Sequence, residues 1–175
     1  RAWGCKIISQ HLRWYPERYG DDFLRGLVDD GYRLVVLRRR DWLLQALSAA
    51  HATRTRYHFT RDQAASFEAM TIDPVEVLSL LLTMEQEDQA VEAAVADLPH
   101  VEVWYEDDLL APDRQQAALE RITAALGLPP APARSDFVRV APPTFRGRVA
   151  NADEVAALLA PTRFARFLER AEFEV

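Results

Sequence analysis

The sequence predicts an α/β fold, a mostly parallel sheet covered by helices on both faces. Three short apolar runs read as strands: Cys5–Ser9 (CKIIS), Tyr32–Leu37 (YRLVVL) and Val101–Tyr105 (VEVWY). Longer stretches with apolar residues at helical spacing separate them, and turn-forming residues punctuate the joins. Strands alternating with helices make βαβ units, and such units build parallel sheets. The 175 residues suffice for a single domain spanning 1–175 with a core of its own.

The elements follow in order. After the CKIIS run, Asp21 to Asp30 place Phe23, Leu24, Leu27 and Val28 on one helical face, and Gly31 stands where a left-handed helix stop belongs. The YRLVVL strand leads to a helix over Asp41 to Tyr57 with Leu43, Leu44, Leu47 and Ala50 inward. His58 to Thr71 lack a period and read as an irregular excursion. Asp73 then caps a long helix, Pro74 fits its first position and Glu76 completes a capping box. Past VEVWY, Asp113 to Leu126 form a helix closed by Gly127. Prolines 129, 130 and 132 break the chain, and apolar anchors such as Phe137 and Phe145 keep the following segment ordered but irregular. Asn151, with Glu154 three residues on, caps another helix, and Thr162 to Ala171 form a last amphipathic one.

Composition narrows the function classes. A net charge of −6 argues against a protein that coats nucleic acid or an anionic membrane. No apolar run approaches the roughly 20 residues of a membrane span, so no stable membrane insertion is expected. The lone Cys5 cannot form an intrachain disulfide, and no secretory pattern opens the chain, which points to the cytoplasm. Homo-oligomer formation stays open. All but one of the 21 basic residues are arginine, a bias that codon usage explains, but it does not explain three in a row, Arg38, Arg39 and Arg40, at a strand end.

Ligands of parallel α/β sheets bind beyond the carboxyl ends of the strands, so the three strand exits carry the candidate chemistry. They are Ser9–Trp14 (SQHLRW), Arg38–Ser48 (RRRDWLLQALS) and Tyr105–Leu109 (YEDDL). At the second exit Arg40 precedes a helix start and Ser48 follows eight residues later. A guanidinium fork and a hydroxyl so placed can grip one phosphate from two sides. The competing assignment is a solvated basic corner with Ser48 as a small packing residue. His51 and His58 lie seven apart, but no carboxylate or cysteine completes a metal site, and no metal is expected. Trp14, Tyr15, Tyr57, His58 and Phe59 could line an acceptor pocket, since aromatic faces suit sugar rings, or serve as packing.

RDWLLQALS resembles the 3′-phosphate-binding segment of sulfotransferases that use 3′-phosphoadenosine 5′-phosphosulfate (PAPS), in which an arginine ends a strand and a serine follows eight residues on. VEVWYEDDLLAPDRQQAALERITAALGLP is similar to the family's stretch in which a strand ends in Tyr-Glu-Asp-Leu and the next helix closes on Leu-Gly-Leu; Tyr105, Glu106, Asp107, Leu126, Gly127 and Leu128 carry that match. FRGRVANADEVAALLAPTRFARFL resembles the tail of bacterial carbohydrate sulfotransferases of the trehalose and nodulation-factor types. The resemblance implies a P-loop nucleotide-hydrolase-like fold and sulfuryl transfer from PAPS to a hydroxyl, with a carbohydrate among the acceptors. It implies that Arg40 and Ser48 hold the 3′-phosphate, and that Arg146, Gly147 and Arg148 (RGR) stand where a segment closing on that phosphate belongs. Lys6 and His11 are the implied catalytic candidates, as cation near the sulfuryl group and as general base, while Glu106 and Asp107 are implied to be structural.

One family element is missing from the sequence. The Gly/Ser/Thr-rich loop that binds the 5′-phosphosulfate is not found. Gly26 and Gly31 have the gap of a phosphate loop, but Tyr32 and Arg33 follow where Lys and Ser or Thr belong. The chain starts at Arg1 rather than Met, so the first strand and its loop are expected to precede it. The alternative is a sulfotransferase-like module that binds or assembles without transferring.

Overall fold

The computed structural model describes residues 4–9, 11, 22–55, 66–135 and 141–170. In chain order its elements are α1 (Phe23–Asp29), β1 (Leu34–Arg38), α2 (Trp42–Thr55), α3 (Pro74–Val95), β2 (His100–Trp104), a π-helical turn (Tyr105–Leu109) and α4 (Pro112–Ala125). They continue with α5 (Phe145–Arg148), α6 (Ala152–Leu159), a 3₁₀ turn (Arg163–Ala165) and α7 (Arg166–Arg170). The chain is mixed α/β and divides into two compact units, one of residues 1–38 and 85–133, the other of 39–84 and 134–175.

The first unit is built on the sheet. β1 and β2 pair in parallel, with Leu34 opposite His100, Val36 opposite Glu102 and Arg38 opposite Trp104. Parallel neighbours need a crossover, and α2 and α3 lie between the two strands in the chain. Val36 points into a cluster with Leu24, Val95 and Leu98. The sheet is expected to be covered by helices on both faces, but Val35 is 44% and Leu37 59% exposed, so only the Val36 side of β1 is covered.

Two helices of this unit end as their glycines predict. Gly31 adopts φ +90° and Gly127 φ +64°. After α1 the Tyr32 amide donates to the Leu27 carbonyl at 2.9 Å and the Gly31 amide to Val28 at 3.0 Å. After α4 Leu128 donates to Thr123 at 2.8 Å and Gly127 to Ala124 at 3.0 Å. Both are Schellman closures, which need a left-handed residue that only glycine supplies without strain.

The expected first strand, Cys5–Ser9, is not a strand. Residues 4–8 have no regular secondary structure, and Ser9 and His11 are helical. Ile7 still packs against the Leu24 and Val36 cluster. Burial of one side chain therefore replaces ladder pairing as what holds this segment, and the Ser9 hydroxyl adds a 2.8 Å bond to the Glu87 carboxylate.

The second unit is helical. Its core joins Leu43 and Leu47 of α2, Ile72, Val77 and Leu81 around the start of α3, Val155 and Leu159 of α6, and Phe164. Asp41 caps α2 by accepting the Leu44 amide at 2.8 Å, and Asp73 caps α3 by accepting that of Val75 at 2.9 Å. The expected capping box does not close, because the Glu76 carboxylate is taken by Arg54 at 2.7 Å. The Asn151 side chain makes no cap for α6; it is spent instead on Ile72.

Candidate functional site

The second strand exit is shaped by its three arginines in different ways. Arg38 closes β1 inside the first unit. Its guanidinium meets Asp88 through two bonds of 3.2 and 2.7 Å, reaches Glu92 at 3.3 Å and Glu102 at 3.4 Å, and lies 4.9 Å from the Trp104 ring centre. The Asp88 bond dominates, outweighing burial, and raises the Arg38 pKa above its already high ordinary value. Arg38 is thus a structural tie between strand and helix. Arg40 is exposed immediately before the Asp41 cap of α2. Ser48 lies six residues into α2, roughly 9 Å along its axis at 1.5 Å rise per residue.

Ser48 has a partner from the far end of the chain. Nη1 of Arg148 donates to the Ser48 Oγ at 2.7 Å and to the Leu44 carbonyl at 3.0 Å, while Arg148 Nε donates to the Pro142 carbonyl at 2.7 Å. The Ser48 hydroxyl itself donates to the Leu44 carbonyl at 2.8 Å. Arg148 is only 2% exposed, whereas Ser48, to which it donates, is half-buried.

The turn that delivers Arg148 is held on three sides. Thr144 caps α5 by accepting the Gly147 amide at 3.2 Å. Gly147 presses on Pro142: a Cβ there would come within 2.7 Å of the proline Cβ, which explains glycine at this point. The Met70 amide donates to the Arg148 carbonyl at 3.1 Å and the Ala150 amide to the Met70 carbonyl at 2.9 Å, forming a short parallel bridge. Asn151 then pairs with the backbone of Ile72, accepting its N–H at 3.1 Å and donating to its C=O at 2.9 Å. Arg146 is exposed and forms a 2.7 Å ion pair with Asp153.

His51 completes this neighbourhood. It lies one turn after Ser48 on α2, and its ring stacks on Phe67 with centroids 4.4 Å apart. Burial, followed by the charges of Arg148 and Arg54, pushes its imidazole below the ordinary histidine value of 6.5. His51 enters the sequence argument only as half of a rejected metal pair. The signal that would have found it is its three-residue offset from Ser48, which puts both on one helical face.

The other candidates belong to other segments of the chain. Lys6 is exposed on the irregular segment, and His11, half-buried, donates its backbone amide to the Ile8 carbonyl at 2.9 Å. Both belong to the first unit, whereas Arg40, Ser48, Arg146, Gly147 and Arg148 belong to the second. Trp14, Tyr15, Tyr57, His58 and Phe59 lie outside the described residues, as does Phe137. At the third exit the YEDDL segment forms a π-helical turn. Asp108, next to the pair Glu106 and Asp107, accepts the Trp104 amide at 2.8 Å and meets Arg121 at 2.9 Å. Burial opposes its charge, but the Trp104 amide and Arg121 outweigh burial and hold the carboxyl below its ordinary value.

Among the described residues no group of three His, Cys, Asp or Glu is placed to hold a metal ion, and no helix is long and apolar enough to cross a membrane. Comparison with protein-family models, with curated proteins and with solved structures finds no match to this chain.

Proposed function

We propose that this chain is a sulfotransferase-type domain of the P-loop nucleotide-hydrolase class, which binds the 3′-phosphate of PAPS and serves sulfuryl transfer to a hydroxyl, a carbohydrate being the favoured acceptor class. The observation that carries this reading is the bond between Arg148 and Ser48. The resemblance assigns RDWLLQALS and FRGR to one phosphate, and the two segments, 100 residues apart, meet side chain to side chain. The fold class draws support from the parallel pairing of β1 with β2 and from the motif residues that follow each strand.

Residues of the second unit suit a phosphate ester. Arg40 is exposed and offers a planar fork; Ser48 offers a hydroxyl that can exchange the Leu44 carbonyl for an anion; Arg148 supplies positive charge from a poorly solvated position bonded to it. Arg146 forms an exposed ion pair with Asp153, of a kind that contributes about 1 kcal/mol or less. The co-substrate, when bound, supplies the activated sulfuryl group. Recognition of its 3′-phosphate is what separates PAPS from ATP.

A second reading is favoured by one observation: Lys6, the candidate cation near the sulfuryl group, stands exposed on a segment that is not a strand. In that reading the domain binds the nucleotide without transferring. A transfer assay from radiolabelled PAPS to mono- and disaccharides separates the two. Labelled sugar ester is expected under the first reading; binding of adenosine 3′,5′-bisphosphate with no labelled product supports the second, and absence of both defeats each.

A further inference from the structure

The groups around Ser48 include one titratable side chain to which neither the resemblance nor the expected chemistry gives a role. Ser48 and His51 are three residues apart on α2, so their side chains are neighbours on one face of the helix. Both are half-buried, and Ser48 is bonded to the buried Arg148. The His51 ring is fixed by its stack on Phe67, an interplanar angle of 21° at 4.4 Å, and among the described residues no hydrogen bond occupies its ring nitrogens. An oriented imidazole with free nitrogens, one turn from a hydroxyl that touches a buried guanidinium, has the parts of an oxyanion subsite.

We propose that His51 is the proton-dependent third member of this anion subsite, donating to a phosphate or sulfate ester dianion held by Ser48 beside Arg148. The proposal rests on the phosphate-site reading above and adds to it the residue that sets its pH response.

The charged groups facing His51 decide the sign. On α2, Arg54 lies three residues on, and its guanidinium is engaged by Glu76 of α3 at 2.7 Å. From α5 comes Arg148, whose hydrogen bonds include those to Ser48, Leu44 and Pro142 and whose charge bears on the imidazole. The Thr55 hydroxyl donates to the His51 carbonyl at 2.9 Å and leaves the ring untouched. The two arginines therefore disfavour a third positive charge in the empty subsite, and the imidazole is held neutral. A dianion reverses that balance by offsetting both cations at once, so His51 takes up a proton as the anion arrives. By linkage, the anion binds more tightly as pH falls through the histidine range.

The test is proton NMR of the histidine Cε1 resonances in the full chain, titrated from pH 5 to 8 with and without inorganic sulfate, which stays dianionic throughout. The His51→Gln variant assigns the resonance, and adenosine 3′,5′-bisphosphate provides a second probe. The His51 midpoint is expected to rise by about one unit on saturation, equivalent to roughly tenfold tighter binding of the anion at the acid end. The affinity ratio of wild type to His51→Gln is expected to grow as pH falls. An unmoved His51 midpoint together with identical pH profiles in the two proteins overturns the proposal while leaving the phosphate site standing. Failure of the wild type to bind either anion at any pH overturns the phosphate site and this proposal with it.

Discussion

Arg148 reaches back 100 residues to place its Nη1 2.7 Å from the Ser48 hydroxyl, while its Nε donates to the Pro142 carbonyl. The bonds of this buried arginine to a hydroxyl and two carbonyls tie the Pro142–Arg148 turn to α2. Ser48→Ala removes one acceptor and leaves part of the guanidinium short of a partner, at an expected cost of about 1–3 kcal/mol. Arg148→Lys cannot reproduce the fork and is expected to cost a similar amount. In a double-mutant cycle by urea unfolding, the pair should show a coupling of about 0.5–3 kcal/mol; additive losses would mean that the bond does not link the two segments in solution.

Asn151 acts as a peptide group, pairing through its amide with both backbone groups of Ile72 and donating to Glu154 at 3.0 Å. Asn151→Asp keeps the acceptor for the Ile72 N–H but sets a carboxylate against the Ile72 carbonyl and Glu154. The variant should lose about 2 kcal/mol at neutral pH and regain part of it as the new carboxyl protonates in acid. Equal stability of the two proteins in urea at pH 7 would contradict this account.

Asp108 ties the start of the π-helical turn to α4 through Trp104 and Arg121. Its folded pKa lies below the ordinary 3.8, so its charge stabilises the native state above pH 3.8, and that contribution disappears as pH falls through the folded value. Wild type and Asp108→Asn should therefore differ in melting temperature at pH 6 and converge toward pH 2. A gap that persists unchanged at low pH would show that the charge is not what matters.

His51 predicts a second pH window with its own sign. Its folded pKa lies below 6.5, so the unfolded chain binds the extra proton first, and stability is lost as pH drops below 6.5 toward the folded value. Without added anion, His51→Gln should flatten this part of the stability profile, measured by urea unfolding from pH 7.5 to 5. A parallel profile in wild type and variant would contradict the assignment.

Much of the local structure was legible because it rests on local chemistry. Asp41, Asp73, Gly31 and Gly127 cap or close helices through atoms within a few residues of themselves, and the periodic face of Leu43, Leu44, Leu47 and Ala50 is the buried one. What failed depended on distant partners. Glu76 is claimed by Arg54, Asn151 by Ile72, and CKIIS gains a packing contact through Ile7 without joining the ladder. The candidate site divides the same way. Arg40 and Ser48 can be picked out by their spacing beside a strand, but nothing local distinguishes Arg148, buried and bonded to Ser48, from the exposed Arg146 two residues earlier. His51 stays hidden until Arg148 and Phe67 surround it.

The proposal that Arg40 and Ser48 read a 3′-phosphate is tested by isothermal titration calorimetry of the chain with adenosine 3′,5′-bisphosphate and with ATP. The account predicts saturable binding of the bisphosphate, at least tenfold weaker binding of ATP, and loss of most of the bisphosphate affinity in Arg40→Ala. Equal affinity for the two nucleotides, or a bisphosphate isotherm unchanged by Arg40→Ala, would contradict it.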